Sequence, residues 1–242
     1  MITAPPLFPA VRCRNVVREF GHGDARARVL YGIDIDVFMG EITLLVGPSG
    51  CGKTTLISIL AGILVADEGE VEVLGTRLAQ LDKTKATRFR GANIGLILQQ
   101  FNLLPTLTVV ENVSIPLLLQ GHRQRSASAR AITLLEELGL GHHAARFPLD
   151  LSMGQQQRVA IARALIHDPR LVICDEPTAM LDAAAGLAVM QMLRKVARRP
   201  DRAVIIVTHD DRILPFADRI ATMSDGRITA LEVVSNSNRK AA

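Results

Sequence analysis

Residues 47–54 read Gly47-Pro48-Ser49-Gly50-Cys51-Gly52-Lys53-Thr54, and this stretch constrains the fold more than any other. It fits the pattern G-x-x-x-x-G-K-[ST], between an apolar run at 41–46 and a helical pattern at 53–60. The glycines let the backbone wrap around phosphate groups, and the N-terminal end of the following helix adds positive potential. Lys53 is expected to reach the β- and γ-phosphates, and Thr54 to coordinate Mg²⁺. Because a chance glycine-rich turn would not need this strand–loop–helix context, the sequence predicts a nucleotide-binding loop.

An acidic pair, Asp175 and Glu176, follows the apolar run 171–174. In open parallel sheets, ligands bind beyond the carboxyl ends of the strands. Asp175 is therefore expected to hold Mg²⁺ through its water shell, and Glu176 to polarise an attacking water, a contribution of roughly 10²–10⁴ in rate. The alternative is that the pair and Pro177 only cap the next element, which the phosphate loop in the same chain disfavours.

Several apolar runs predict the strands of this fold. Residues 94–98, 171–174 and 203–207 are nearly continuous apolar runs, which is typical of parallel strands buried on both faces. Residues 31–38 alternate apolar and acidic side chains and predict a half-buried strand. Strands that alternate with helices in this way indicate the α/β class.

The apolar pattern changes to a helical period between residues 105 and 166. One predicted helix spans 126–138, and its apolar face is expected to consist of Ile132, Leu135 and Leu138. A second predicted helix spans 155–166. The sequence thus predicts a helical lobe within an alternating α/β chain.

Composition excludes some functional classes. Of the 242 residues, 48% are apolar and 21% are charged, so the chain can bury a core. It has no Trp and one Tyr, which disfavours a surface that stacks single-stranded bases. The three cysteines are scattered and predict free thiols in a reducing compartment. His142 and His143 have no companion ligands at metal-binding spacing, so they predict a solvated loop.

Residues 151–158, LSMGQQQR, precede an apolar helix and the acidic strand. This segment resembles the signature L-S-G-G-Q of ATP-binding-cassette (ABC) proteins. Five further features resemble the family's motifs. They are Phe20 as the aromatic that stacks on adenine, Gln99 as the Q-loop glutamine, 179–182 as the D-loop, His209 as the switch histidine, and Leu165 with Asp168-Pro169 in the family's usual register. The resemblance covers roughly residues 11–233, and the ordered set of motifs is highly specific.

The resemblance implies an α/β fold, a P-loop NTPase (RecA-like) core with an N-terminal antiparallel β subdomain and an inserted helical subdomain. It implies a single ABC ATPase domain over residues 1–234, with the helical subdomain at about 102–166. Residues 235–242 are expected to form a disordered tail.

The resemblance also assigns site residues. The implied catalytic residues are Glu176, His209 and Gln99, and the implied Mg²⁺ ligands are Thr54, Gln99 and Asp175. The implied nucleotide-binding residues are Phe20, Gly47, Pro48, Ser49, Gly50, Cys51, Gly52, Lys53, Thr54 and Thr55. The D-loop residue is Asp182, and the signature residues that would bind ATP across a dimer interface are Ser152, Met153, Gly154 and Gln155. Met153 departs from the family, which usually has glycine there. If that glycine is needed for backbone torsion or clearance, Met153 weakens closure, and if the position only faces a neighbouring surface, methionine is tolerated.

By resemblance, the protein is an ATP-binding and ATP-hydrolysing subunit that dimerises around two MgATP and drives a separate transmembrane permease. Its second partner is expected to be another ATP-binding subunit, in a homodimer, with no nucleic acid bound. The expected location is the cytoplasmic face of the inner (plasma) membrane, peripheral through the permease. Residues 99–121 resemble the macrolide-export, lipoprotein-release and heterocyst-exporter ATPases, which favours an exporter. The alternatives are a non-transport cassette ATPase of translation or DNA repair, and a nucleotide sensor without hydrolysis.

Overall fold

A computed structural model describes residues 9–197 and 199–234, so the predicted tail at 235–242 lies outside the described residues. The strands are β1 (Pro9–Phe20), β2 (Ala27–Phe38), β3 (Ile42–Val46), β4 (Glu68–Val73), β5 (Thr76–Arg77), β6 (Ile94–Ile97), β7 (Leu171–Asp175), β8 (Ala203–Thr208), β9 (Arg219–Ser224) and β10 (Arg227–Val233). The α-helices are α1 (Lys53–Leu60), α2 (Lys83–Asn93), α3 (Val109–Leu119), α4 (Gln124–Glu137), α5 (Met153–Leu165) and α6 (Ala183–Ala197).

The main sheet has the strand order β10-β9-β3-β8-β7-β6. Strands β9, β3, β8, β7 and β6 are parallel to one another, and β10 pairs antiparallel with β9. The predicted strands at 94–98, 171–174 and 203–207 are therefore confirmed as the parallel β6, β7 and β8. Every residue of β7 and β8 is buried, which explains why both read as unbroken apolar runs.

Helices and a second sheet cover the two faces of the main sheet. The second sheet, β2-β1-β4-β5, is antiparallel, and with α1 it encloses a core against one face. Helices α5 and α6 pack on the opposite face, where Ile161, Val189 and Leu193 share a core with Ile206. This arrangement leaves the carboxyl edge of the parallel strands to form a site.

Helices α3, α4 and α5 form a separate apolar cluster. The predicted buried face of α4 is wrong at Ile132, which is 40% exposed, whereas Leu135 and Leu138 are buried as expected. Ala127 and Ala131 complete the buried face instead, because small side chains allow α4 to approach its neighbours closely. In the described part of the chain, each helix is too short or too polar to span a lipid bilayer.

Candidate active site

The carboxyl ends of β3, β6, β7 and β8 meet at one edge of the main sheet, where a cavity of about 280 Å³ opens. Ten of the residues singled out in the sequence line it: Ser49, Gly50, Gly52, Lys53, Thr54, Thr55, Gln99, Asp175, Glu176 and His209. Val29 and Val207 add apolar walls. Parallel strands bring together segments that are up to 160 residues apart in the sequence, His209 and Ser49 among them.

The loop after β3 is shaped by close backbone packing. A Cβ atom at Gly47 would lie 2.1 Å from the Met223 carbonyl oxygen, so only glycine fits there. Gly52, with φ of +102°, is the N-cap of α1. The buried Lys53 ammonium donates to the carbonyl oxygens of Gly47 (2.7 Å) and Pro48 (2.8 Å). The lysine thus stays at the loop, where it can exchange these carbonyls for phosphate oxygens.

Thr54 and Asp175 bring two oxygen ligands together. The Thr54 hydroxyl donates to Oδ2 of Asp175 at 3.3 Å. Burial raises the pKa of Asp175 and the charge of Glu176 raises it further, whereas the Thr54 hydrogen bond and the charge of Lys53 act in the opposite direction. Hydroxyl and carboxylate oxygens are ligands that suit Mg²⁺. Among the described residues, no group of three or more His, Cys, Asp or Glu side chains is arranged to hold a metal ion.

Glu176 and His209 form a contact within the cavity. His209 Nδ1 lies 2.7 Å from Oε1 of Glu176, while Oε2 of Glu176 is buried without a hydrogen-bond partner. Glu176 has a φ of +49°, a left-handed conformation that costs a residue with a side chain about 1–3 kcal/mol. Its N–H donates to the Val207 carbonyl at 3.0 Å, which ties this strained residue to β8. The backbone of Glu176 is therefore tied to β8, and its carboxylate contacts His209 through one oxygen while the other is available for a proton or a water molecule.

Four of the predicted nucleotide-binding residues do not line the cavity. Gly47 and Pro48 lie behind it and accept from Lys53, and Cys51 is buried with its carbonyl accepting from the Gly226 N–H. Phe20 is 39% exposed, and the Arg18 guanidinium lies 4.8 Å from the centre of its ring.

The signature residues lie away from the cavity, at the N-terminus of α5. Ser152 is the N-cap residue, and its N–H donates to Oε1 of Gln155 at 2.9 Å. The Ser152 hydroxyl accepts from the Gln155 N–H at 3.4 Å, which completes a capping box. Met153 is 46% exposed and has a right-handed helical backbone, so glycine is not required for torsion there. Gly154 lies against Ala185, near the start of α6, where Asp182 accepts from the Ala185 N–H.

Sequence reasoning missed two residues that support this arrangement. Arg163 of α5 donates to the carbonyls of Phe101 (2.6 Å) and Asn102 (2.5 Å), just after Gln99. The only signal was a cation within an apolar helix. The solvated-loop prediction holds for the exposed His142 but is wrong for His143, which is 7% exposed because it packs beside Gln155.

Comparisons with known proteins identify the family of the chain. A family model for ABC transporters matches residues 30–179. The lipoprotein-releasing system ATP-binding protein LolD of Shewanella oneidensis is 41% identical over 222 residues, which cover 92% of this chain and 96% of LolD. The uncharacterized ABC transporter ATP-binding protein MJ1508 of Methanocaldococcus jannaschii is 39% identical, over 91% of this chain and 98% of that protein. A dimeric structure of the ATP-binding cassette MJ0796, bound to ADP and Pi after hydrolysis, superposes with a TM-score of 0.86 at 35% identity and covers 93% of this chain and 99% of that one.

The chain belongs to the ABC transporter family. It is an ATP-binding subunit of that family, an ATPase whose relatives include the lipoprotein-release ATPases named in the sequence analysis. The predicted fold class, an α/β P-loop NTPase, is likewise confirmed.

Proposed function

We propose that this ATPase works as a pair of identical chains that close head to tail around two MgATP and thereby drive a separate permease. The proposal rests on the observation that two groups of motifs lie on separate parts of the surface of one chain. The phosphate loop, Asp175, Glu176 and His209 share one cavity, whereas the signature helix end is exposed on another part of the surface. A helix N-terminus attracts anions, and in this proposal the one at Ser152 meets a phosphate that the second chain binds.

Within each chain, the cavity residues have separate tasks in this proposal. Lys53 holds the β- and γ-phosphates, while the backbone N–H groups of 47–52 surround them. Thr54, Asp175 and Gln99 hold Mg²⁺, which fits because one hydroxyl and one carboxylate oxygen already lie 3.3 Å apart. When bound, Mg²⁺ supplies charge that stabilises the phosphates. Glu176 accepts a proton from the attacking water, and His209 orients the Glu176 carboxylate through their 2.7 Å contact.

Phe20, Ser152 and Asp182 complete the site from its borders. Phe20 stacks on the adenine, a role for which its exposed ring is available. Ser152 and Gly154, with Met153 and Gln155 beside them, close on the γ-phosphate of the second chain. Asp182 lies at the start of α6, near Gly154, and is expected to reach the same interface. The domain division, 1–234 with a helical subdomain at about 102–166, stays a prediction.

The permease is expected to dock in a groove of about 720 Å³ between α2, α3 and α5. The groove has exposed apolar residues at its border, Ile63 at 56% and Leu119 at 84%, and it includes Arg163, which contacts the loop after Gln99. A permease segment in this groove would therefore sense the nucleotide site. The LolD relative supports a lipoprotein-release type of transporter, hence an exporter-type machine on the cytoplasmic face of the inner membrane.

The central test is Glu176→Gln. This variant is expected to bind ATP with parental affinity, because the amide keeps the shape of the side chain, but to lose proton acceptance and most of its turnover, about 100-fold or more. With MgATP it should elute as a stable dimer in size-exclusion chromatography with light scattering. Lys53→Ala is the matched control and should lose nucleotide affinity and remain monomeric. Parental hydrolysis by Glu176→Gln, or a variant that stays monomeric with MgATP, would contradict the proposal.

A further inference from the structure

The buried His143 lies against the signature helix. It ends the 3-10 helix Gly141–His143, which packs between α4 and the N-terminal part of α5. Its Nε2 lies 3.1 Å from Nε2 of Gln155, and its Nδ1 is buried without a hydrogen-bond partner. The neighbouring His142 is exposed, with the two ring centres 4.0 Å apart.

The hydrogen bonds of Gln155 fix the protonation state of this imidazole. The side-chain oxygen of Gln155 accepts from the Ser152 N–H at 2.9 Å, so the amide nitrogen must be the atom that faces His143. An amide nitrogen only donates, and therefore His143 Nε2 must accept. This requires a neutral imidazole with its proton on Nδ1. A protonated imidazole would place two donors against each other, and an inverted amide would place two donors at Ser152 instead.

We propose that His143 is a positioning residue that holds Ser152 in place through Gln155, and that protonation of its imidazole releases this hold. The chain thus couples an acid-sensitive switch to the residue that meets the second chain's nucleotide. The inference rests on the proposed function, because displacement of Ser152 affects MgATP hydrolysis only if Ser152 binds ATP across the dimer.

The charges around His143 set the direction of the switch. His142 lies on the same 3-10 helix, Arg146 on the following segment and Arg158 on α5, while Glu136 of α4 lies beside Gly141. Burial lowers the pKa of His143 below the ordinary 6.5, and electrostatic interactions with His142, Arg146 and Arg158 lower it further. A neutral His143 is therefore favoured at neutral pH. The hold is present above the ordinary histidine pKa and is lost as pH falls through the lower pKa of the folded chain.

The test compares His143→Gln with His142→Gln in the full-length chain. Glutamine can still accept from Gln155 but does not titrate in this range, and His142 is the exposed neighbour. The measured quantity is the ratio of MgATP hydrolysis at about pH 7.5 to that at about pH 5. We expect this ratio to be about fivefold larger for the parent and for His142→Gln than for His143→Gln, because loss of a helix cap changes an equilibrium by about that factor.

A second measurement does not depend on a variant. Nitrogen chemical shifts of the His143 ring in the parent chain should show the proton on Nδ1 at neutral pH, and a single titration below the ordinary histidine value of 6.5. A proton on Nε2, or equal pH profiles for all three chains, would overturn the inference. Ser152→Ala separates the two hypotheses: if it impairs MgATP-driven dimerisation while the His143 profiles stay equal, the proposed function stands and the switch fails. If Ser152→Ala has no effect, the proposed function itself fails.

Discussion

Arg163→Leu tests how the loop after Gln99, a residue that lines the candidate site, is held in place. The Arg163 guanidinium donates to two consecutive carbonyls, 2.6 Å to Phe101 and 2.5 Å to Asn102. Burial lowers the pKa of Arg163, but arginine remains charged at neutral pH, so both are charge-assisted hydrogen bonds. Leucine fills part of the same volume and donates to neither carbonyl.

The magnitude follows from the two bonds. A hydrogen bond from a charged donor contributes about 1.5–3 kcal/mol, and Asn102 is exposed, so water replaces part of what is lost. With the lower value for each of the two bonds, the substitution removes about 3 kcal/mol of the free energy that holds the loop in place. Every 1.36 kcal/mol corresponds to about a tenfold change. Because bound nucleotide restores part of the order, we expect kcat to fall by about 10- to 100-fold.

The assay is steady-state MgATP hydrolysis together with direct titration of ATP binding. Since both of these Arg163 hydrogen bonds go to the loop after Gln99 and not to the phosphate loop, kcat should fall while the ATP dissociation constant changes less than about twofold. Arg163→Lys, which keeps the charge but not the paired donors, should lose less. Arg88 lines the same groove and is exposed, so Arg88→Leu is the matched control with parental kinetics. Parental kcat for Arg163→Leu would refute the reasoning.

Two further predictions concern packing and pH. A Cβ atom at Gly95 would lie 2.3 Å from the Ala164 carbonyl oxygen, so Gly95→Ala should lower the free energy of unfolding by about 1–3 kcal/mol in urea titrations. Gly91 lies in α2 with open space around it, so Gly91→Ala should instead raise it by about 0.5–1 kcal/mol, and equal effects would contradict this reading. Hydrogen bonds from Arg212 lower the pKa of Asp210 from 3.8. The free energy of unfolding that these bonds contribute is therefore fully present above pH 3.8 and is lost as pH falls through the lower pKa of Asp210 in the folded chain. Asp210→Asn should cost about 1 kcal/mol at neutral pH and give a shallower loss of stability in acid, and an unchanged acid melting curve would count against the pair.

Local patterns explain which parts of the fold and site the sequence could predict. The phosphate loop, the acidic end of β7 and the apolar parallel strands each depend on adjacent residues, and topology then brings Lys53, Asp175 and His209 together. The buried face of α4 could not be predicted in full, because hydrophobicity alone favours Ile132 over Ala131, whereas close helix packing favours the smaller side chain. His143 could not be predicted as buried, because its partner Gln155 is twelve residues away in the sequence.

Helix α5 connects the features on which the proposed function depends. Ser152 caps its N-terminus, and Arg163 lies near its C-terminus, about 16.5 Å further along at 1.5 Å per residue. In our proposal the N-terminal end faces the second chain. The C-terminal end holds the loop after Gln99 and lines the groove in which we propose that the permease docks. Because α5 packs against two apolar cores, we expect its two ends to move together. A permease that docked in this groove and displaced α5 would therefore shift Ser152 and the Gln99 loop together. Such a shift would link docking to both halves of the ATP site.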